Sequence, residues 1–240
     1  MFLADRAQLD SDAIVLAGQE GRHAATVRRL MPGERADVTD GQGTLAECVV
    51  TGASRDVLEL AVVARRGEPE PEPRIVVVQA IPKGDRGELA VEIMTEVGVD
   101  VVVPWSAARS VARWRGERSD RALARWRATA REAAKQSRRA RFPEVTALAA
   151  TKDVTSRVST ASLAILLDPD APTALGSVRL PRSGDIVLIV GPEGGVSPAE
   201  SGALSQAGAV SARLGPAVLR TSSAGAVAAA VALGGCGRWG

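Results

Sequence analysis

The 240-residue sequence predicts an α/β fold, a parallel sheet with helices on both faces, preceded by a small β-barrel. Three observations carry this. Residues 1–66 hold short β-prone pieces separated by turn signals every ~8–12 residues, the pattern of a small barrel. The run Gly67-Glu68-Pro69-Glu70-Pro71-Glu72-Pro73 alternates proline and glutamate, which favours an extended spacer and resists helix and sheet alike. From residue 74 onward, continuous apolar strands alternate with stretches of helical period.

In the first part, Ala36–Thr39, Glu47–Val50 and Leu58–Val63 read as strands, with turns at Pro32-Gly33 and Asp40-Gly41. Only Glu20–Leu30 looks helical. After the spacer, Ile75–Ala80 is an unbroken apolar strand, as expected where both faces of a sheet are covered. Arg86–Val97 carries Leu89, Ile93, Met94 and Val97 at helical spacing, and Gly98 is placed to end that helix. Val99–Val103 completes a β-α-β unit. A second helix is expected over 120–139, with Ser119 as its cap and Leu123, Trp126, Ala130 and Ala133 on one face. Leu163–Leu167 and Ile186–Val190 follow as strands. Ser197-Pro198-Ala199-Glu200 combines a cap, a proline at the first helical position and a glutamate at the third, marking a helix start. Thr221–Leu233 is a last, alanine-rich helix.

Composition bounds the function. Apolar residues make up 45%, enough for a sizeable core, and no apolar run reaches the ~18 residues of a membrane span. The opening residues lack a basic segment followed by a long apolar one, so a cytoplasmic protein with no membrane partner is expected. Cys48 and Cys236 lie far apart with no metal-like spacing, and the single histidine, His23, has no partner, so neither a metal site nor a histidine-dependent triad is expected. Net charge is only +2, yet it is unevenly spread. Residues 1–72 hold 8 Lys/Arg against 13 Asp/Glu, whereas residues 109–141 hold 12 basic residues and only Glu117, Asp120 and Glu132 as acids. Such a local excess suits a polyanion, and equally a solvated arginine-rich helix.

Two late segments carry the chemistry. Val190-Gly191-Pro192-Glu193-Gly194-Gly195 and Leu214-Gly215-Pro216-Ala217-Val218-Leu219-Arg220-Thr221 each follow an apolar run and lead into helix. They present backbone groups at the C-terminal ends of two strands, where open α/β sheets bind ligands. Neither has the glycine spacing that grips a pyrophosphate, so they suit a ligand recognised by backbone and shape.

An ordered set of blocks surrounds these turns: Lys83-Gly84-Asp85-Arg86, Thr95-Glu96-Val97-Gly98-Val99-Asp100, Arg109-Ser110-Val111, Arg125-Trp126, and Glu132-Ala133-Ala134-Lys135-Gln136-Ser137 before Arg138-Arg139. With the two glycine turns they resemble the ribosomal RNA small subunit methyltransferase E family, strongly over 74–233 and more loosely before. The resemblance implies an S-adenosylmethionine-dependent enzyme that methylates N3 of a uridine in 16S, small-subunit, ribosomal RNA. It implies a PUA-like β-barrel over 1–68 that binds RNA, a SPOUT α/β domain over 74–240 with a C-terminal trefoil knot, and a homodimer. Carried onto this sequence, it implies Leu167, Val190, Gly191, Pro192, Gly195, Leu214, Gly215 and Leu219 as the S-adenosyl-L-methionine contacts. Arg220 and Glu132 become catalytic candidates, and Arg109, Gln136, Arg138 and Arg139 contacts to RNA. The chain departs from the family at three places. Ser222 and Ser223 follow Thr221 where a glutamate is usual, Ala108 stands where a glutamate precedes Arg109, and no basic residue precedes Phe2. Two other readings therefore stay open: a SPOUT methyltransferase acting on another RNA such as transfer RNA, and a non-catalytic RNA-binding assembly factor.

Overall fold

The computed structural model describes residues 1–239, which divide into two units: residues 1–70 with 134–142, and the rest of the chain from Pro71 to Ala133 and from Pro143 onward. In the first unit, β1 (Phe2–Leu3), α1 (Arg6–Leu9), β2 (Ala13–Leu16) and α2 (Gly18–Arg22) precede three longer strands, β3 (Arg35–Thr39), β4 (Thr44–Ser54) and β5 (Val57–Gly67). They form one five-stranded sheet in the order β1-β3-β4-β5-β2. The edge strands β1 and β2 do not pair with each other among the described residues, so the hydrogen-bonded ladder of the strand-rich unit is open. Register shifts at Glu47/Cys48 and Val50/Gly52 mark bulges in the β4–β5 pair, which bend a sheet over its core. That core is Phe2, Leu9, Ile14, Leu16, Val38, Val50, Leu58 and Leu60. The helix expected over 20–30 is shorter: α2 gives way to a single wide turn at His23–Val27 and ends there. His23 is half-buried with its ring edge-on to Phe2, centroids 6.0 Å apart, a packing role. Lys135 closes an ion pair with Glu20 at 2.7 Å inside this unit.

The second unit opens with β6 (Arg74–Ala80), α3 (Arg86–Val97) and β7 (Val101–Trp105), the expected β-α-β unit with its second strand two residues later than predicted. Gly98 ends α3 with φ +111°, its N–H returning to the Met94 and Thr95 carbonyls, a conformation side chains resist. Then come α4 (Glu117–Gln136), β8 (Glu144–Val145), α5 (Thr151–Thr160), β9 (Leu163–Leu167), β10 (Asp185–Val190), α6 (Pro198–Gln206), β11 (Val210–Ala212) and α7 (Thr221–Gly235). Ser119 lies inside α4 and does not cap it, because the helix starts at Glu117.

All six strands pair parallel, in the order β11-β9-β10-β6-β7-β8. Strand periodicity divides the apolar residues between two cores. Ile75, Val77, Ile186, Leu188 and Val190 meet Met94 of α3, Trp126 of α4 and Ala228 of α7 on one face. Val76, Val78, Val187 and Ile189 meet Val154 and Val158 of α5 and Leu204 of α6 on the other. The unbroken β6 run is thus buried on both sides, as its sequence required.

Candidate active site

Three adjacent strands, β11, β9 and β10, release their chains at the same edge of the sheet. The loops that follow them enclose a cavity of about 590 Å³, within the ~300–1,000 Å³ typical of small-molecule sites. Leu166–Asp170 lines it at the end of β9 and beyond, Val190–Glu193, Gly195 and Val196 at the end of β10 and beyond, and Leu214, Gly215 and Ala217–Thr221 after β11. Ser201 of α6 and Ala224 of α7 complete the wall.

Each turn has a local cause. Gly195 adopts φ +74°, and its N–H donates to the Pro192 carbonyl at 2.8 Å, closing the first turn. A side chain at Gly191 would collide with Val196, its Cβ only 2.7 Å from Cγ2. Gly215 is different: a Cβ there meets no atom within 4 Å, so the backbone borders open space. Past the first turn, Ser197 accepts the Glu200 N–H, and the Glu200 carboxylate accepts the Ser197 N–H and hydroxyl, the reciprocal cap the sequence announced. The second turn leads into α7, whose first residue, Thr221, accepts at its carbonyl the side-chain N–H of the fully buried Gln79 at 3.2 Å.

All eight residues named for the cofactor lie in this lining: Leu167, Val190, Gly191, Pro192, Gly195, Leu214, Gly215 and Leu219. Arg220 lines it as well, exposed, at the N-cap of α7, with no hydrogen bond or ion pair from its guanidinium within the chain among the described residues. A cation there gains nothing from the helix, whose N-terminal end carries partial positive charge. Arg109, in the loop after β7, donates from its guanidinium to the Gly194 carbonyl at 3.3 Å and so sits on the first turn.

The other candidates are placed elsewhere. Glu132 is exposed on α4 and is not among the lining residues, and Arg125 of the same helix pairs with Glu88 of α3 at 3.0 Å. Gln136, Arg138 and Arg139 fall in the 134–142 segment that belongs with the first unit. There Arg138 takes φ +57°, and the Arg139 N–H returns to the Ala134 carbonyl.

Three acids of the lining were missed: Asp168, Asp170 and Glu193. Asp168 accepts the Asp170 N–H at 3.0 Å, folding the loop after β9 on itself, and Glu193 accepts the Lys83 N–H at 3.2 Å. Asp168-Pro169-Asp170 directly after an apolar strand was the available signal. The lining therefore combines apolar leucines, turn backbone and carboxylates. That donor set fits an adenosyl group bearing cationic charge: leucines for a flat ring, backbone groups for its edge, carboxylates for the positive end.

One further carboxylate stands behind the cavity. Glu200 is only 6% exposed. Burial pushes its carboxyl up, but the Ala108 and Ser197 N–H groups and the Ser197 and Thr151 hydroxyls outweigh this and hold it below the usual carboxylate range.

A family profile described as an RNA methyltransferase domain matches residues 68–233, and one described as an RNA methyltransferase PUA domain matches 16–63. A curated relative from Mycobacterium bovis, named ribosomal RNA small subunit methyltransferase E, is 45% identical over 247 aligned residues, which span all of this chain and 93% of the relative. A protein of the same name from Bacillus subtilis is 27% identical over 217 residues, 87% of this chain and 85% of its own. Among solved structures, a ribosomal RNA small subunit methyltransferase E from Neisseria gonorrhoeae, bound to S-adenosyl methionine, superposes with a TM-score of 0.84 at 26% identity, covering 97% of this chain and 96% of that one.

Proposed function

The chain belongs to the ribosomal RNA small subunit methyltransferase E family, and on that footing we propose that it binds S-adenosylmethionine and methylates N3 of a uridine in 16S ribosomal RNA. One observation carries the reading: both glycine turns, after β10 and β11, open into a single cavity with Arg220 in its wall. S-adenosylmethionine supplies a methyl group already activated by its sulfonium. The chain has to hold that group, orient the uracil ring, manage the N3 proton and stabilise charge on the ring oxygens.

Leu167, Leu214 and Leu219 cover the adenine, while the backbones of Val190, Gly191, Pro192, Gly195 and Gly215 follow its outline. Asp168, Asp170 and Glu193 complement the cationic end. Arg220, whose guanidinium has no intrachain partner among the described residues and lies beside the positive end of α7, stabilises developing charge on the uracil oxygens or grips an RNA phosphate. Once bound substrate fixes it, such a donor is worth ~10²–10³ in rate. Arg109 extends the site toward RNA from the first turn. Glu132 lies outside the lining, so no proton transfer is proposed for it within one chain.

The reading extends to a SPOUT domain with a C-terminal trefoil knot, a PUA-like RNA-binding unit, a homodimer and a cytoplasmic location. Supporting the knot, the segment around β11 runs beside the loop after β9: the Asp168 N–H donates to the Ala212 carbonyl, and the Leu175 N–H to the Arg213 carbonyl. Supporting a dimer with the cavity near its interface, Val218, Leu219, Val227 and Val231 expose apolar surface at the second turn and along α7.

Incubation with methyl-labelled S-adenosylmethionine and small ribosomal subunits, followed by digestion to nucleosides, tests the activity. Label in 3-methyluridine is expected. Label in another nucleoside rejects the N3 assignment, and none in any RNA class leaves a binding protein.

A further inference from the structure

We propose that Glu200 is a positioning residue, which holds the Arg109 loop against the Gly191–Gly195 turn from beneath. The inference rests on the reading above, in which Arg109 meets RNA. A glutamate at the third position of a helix needs only its own cap residue as partner, and on a surface helix it stays solvated. Glu200 does more. Its Oε2 accepts the Ser197 N–H at 3.2 Å and hydroxyl at 2.7 Å, the local cap. Its Oε1 is turned to two distant elements, accepting the Ala108 N–H at 2.8 Å and the Thr151 hydroxyl at 3.0 Å.

Each partner leads to a fixed body. The Thr151 hydroxyl also receives the indole N–H of Trp105 at 3.2 Å, and Trp105 is fully buried at the end of β7. Ala108 is followed by Arg109, whose guanidinium reaches the Gly194 carbonyl. The two backbones also pass close together: a Cβ on Gly194 would lie 3.3 Å from the Arg109 carbonyl oxygen. Glu200 therefore ties the start of α5, the start of α6 and the base of the Arg109 loop through one buried anion. A buried carboxylate with four donors has one low-energy placement, and the loop inherits that precision. A neutral amide of the same size turns an N–H₂ toward at least one of those donors and releases part of the clamp.

The test uses the full chain with Glu200→Gln, Arg109→Ala and their combination. It reads methylation kinetics on small subunits, S-adenosylmethionine affinity by calorimetry, and amide exchange at Ala108. Glu200→Gln is expected to speed Ala108 exchange and to raise the subunit KM about tenfold, with kcat and cofactor Kd within about threefold. The double variant is expected to match Arg109→Ala alone, since one residue acts through the other. KM effects that multiply overturn the proposal, as does an unchanged KM with Ala108 deprotected, which marks a purely structural staple. If Glu200→Gln does not fold, Thr151→Val removes one donor and is read the same way, with a KM rise of about threefold expected and no rise refuting it. A wild-type chain that methylates no RNA defeats the activity reading. Unaltered Ala108 exchange in Glu200→Gln defeats this one whatever the activity.

Discussion

Replacing Arg238 by methionine is expected to weaken the α/β unit without touching the cavity. After α7, the Arg238 guanidinium donates to both oxygens of Asp100, one at 3.2 Å, and to the Pro73 carbonyl at 3.2 Å. Asp100 also accepts the Ile75 N–H at 2.8 Å. Pro73 and Asp100 precede β6 and β7, so this tie lies at the N-terminal edge of the parallel sheet, and the cavity lies at the C-terminal edge. Breaking a buried pair from one side costs ~3–5 kcal/mol, because a desolvated charge loses its partner. The Asp100 side chain is 6% exposed but that of Arg238 is 20%, so water recovers part of the loss. Methionine keeps the packing of the arginine stem. The expected loss is therefore about 2–3 kcal/mol, which at a urea m-value of ~2 kcal/mol/M moves the midpoint by about 1–1.5 M. All four tryptophans, Trp105, Trp114, Trp126 and Trp239, belong to this unit, so fluorescence-detected urea unfolding reads its transition alone. Calorimetry should find the S-adenosylmethionine Kd within about twofold of wild type. A stability loss under ~1 kcal/mol, or a tenfold change in Kd, refutes the separation of a structural edge from a functional one.

Three more outcomes are expected. Arg220→Ala should lower kcat on small subunits by about 10²–10³ while cofactor binding persists; full activity removes Arg220 from the chemistry. Two glycine-to-alanine changes in helices should move stability in opposite directions. At Gly202 of α6 a Cβ meets nothing, so helix propensity gains ~0.5–1 kcal/mol. At Gly87 of α3 it would sit 2.6 Å from the Trp126 ring, so overpacking costs a net ~1–2 kcal/mol, both read from urea midpoints. Finally, the Glu200 carboxyl is held below its ordinary value of 4.5, so the stability it lends is present above that pH and is lost as pH falls further. Glu200→Gln should flatten the acid limb of the Tm–pH curve between pH 5 and wild type's acid midpoint; an unchanged limb refutes this.

How much of the fold was legible depended on how strongly local signals agreed. The span of α3, Arg86–Val97, follows from its apolar spacing and Gly98, and the start of α6 from a cap whose every member is local. Its buried face was less legible. Leu89 is exposed, and Ala90, Val91 and Met94 carry the contact, because Gly87 lets Trp126 press against the first turn of the helix. The helix α5 escaped notice altogether. Its sequence, Thr151-Lys152-Asp153-Val154-Thr155-Ser156-Arg157-Val158-Ser159-Thr160, is rich in β-branched and hydroxyl residues that disfavour helix. Val154 and Val158, one turn apart, hold it on the sheet, and only the packed sheet supplies that energy.

The same distinction separates the two halves of the site. Turn backbone is encoded locally, so the lining after β10 and β11 was readable, whereas charge acts only after folding decides which groups meet. Twelve basic residues over 109–141 suggested one continuous cationic surface. The fold removes several from it: Arg125 pairs with Glu88, Arg127 donates to the Val145 carbonyl at 3.0 Å, Lys135 pairs with Glu20, and Arg141 donates to the Glu68 carbonyl. A guanidinium neutralised by a carboxylate gives little to a polyanion, and one that donates to a carbonyl has fewer N–H groups left for it. Within the α/β unit, Arg115, in the loop that Arg109 anchors on the first turn, and Arg118, at the start of α4, are exposed. On the proposed reading, phosphate contacts are therefore expected at the exposed guanidinium groups that begin beside the cavity, at Arg115 and Arg118, more than along the whole arginine-rich helix.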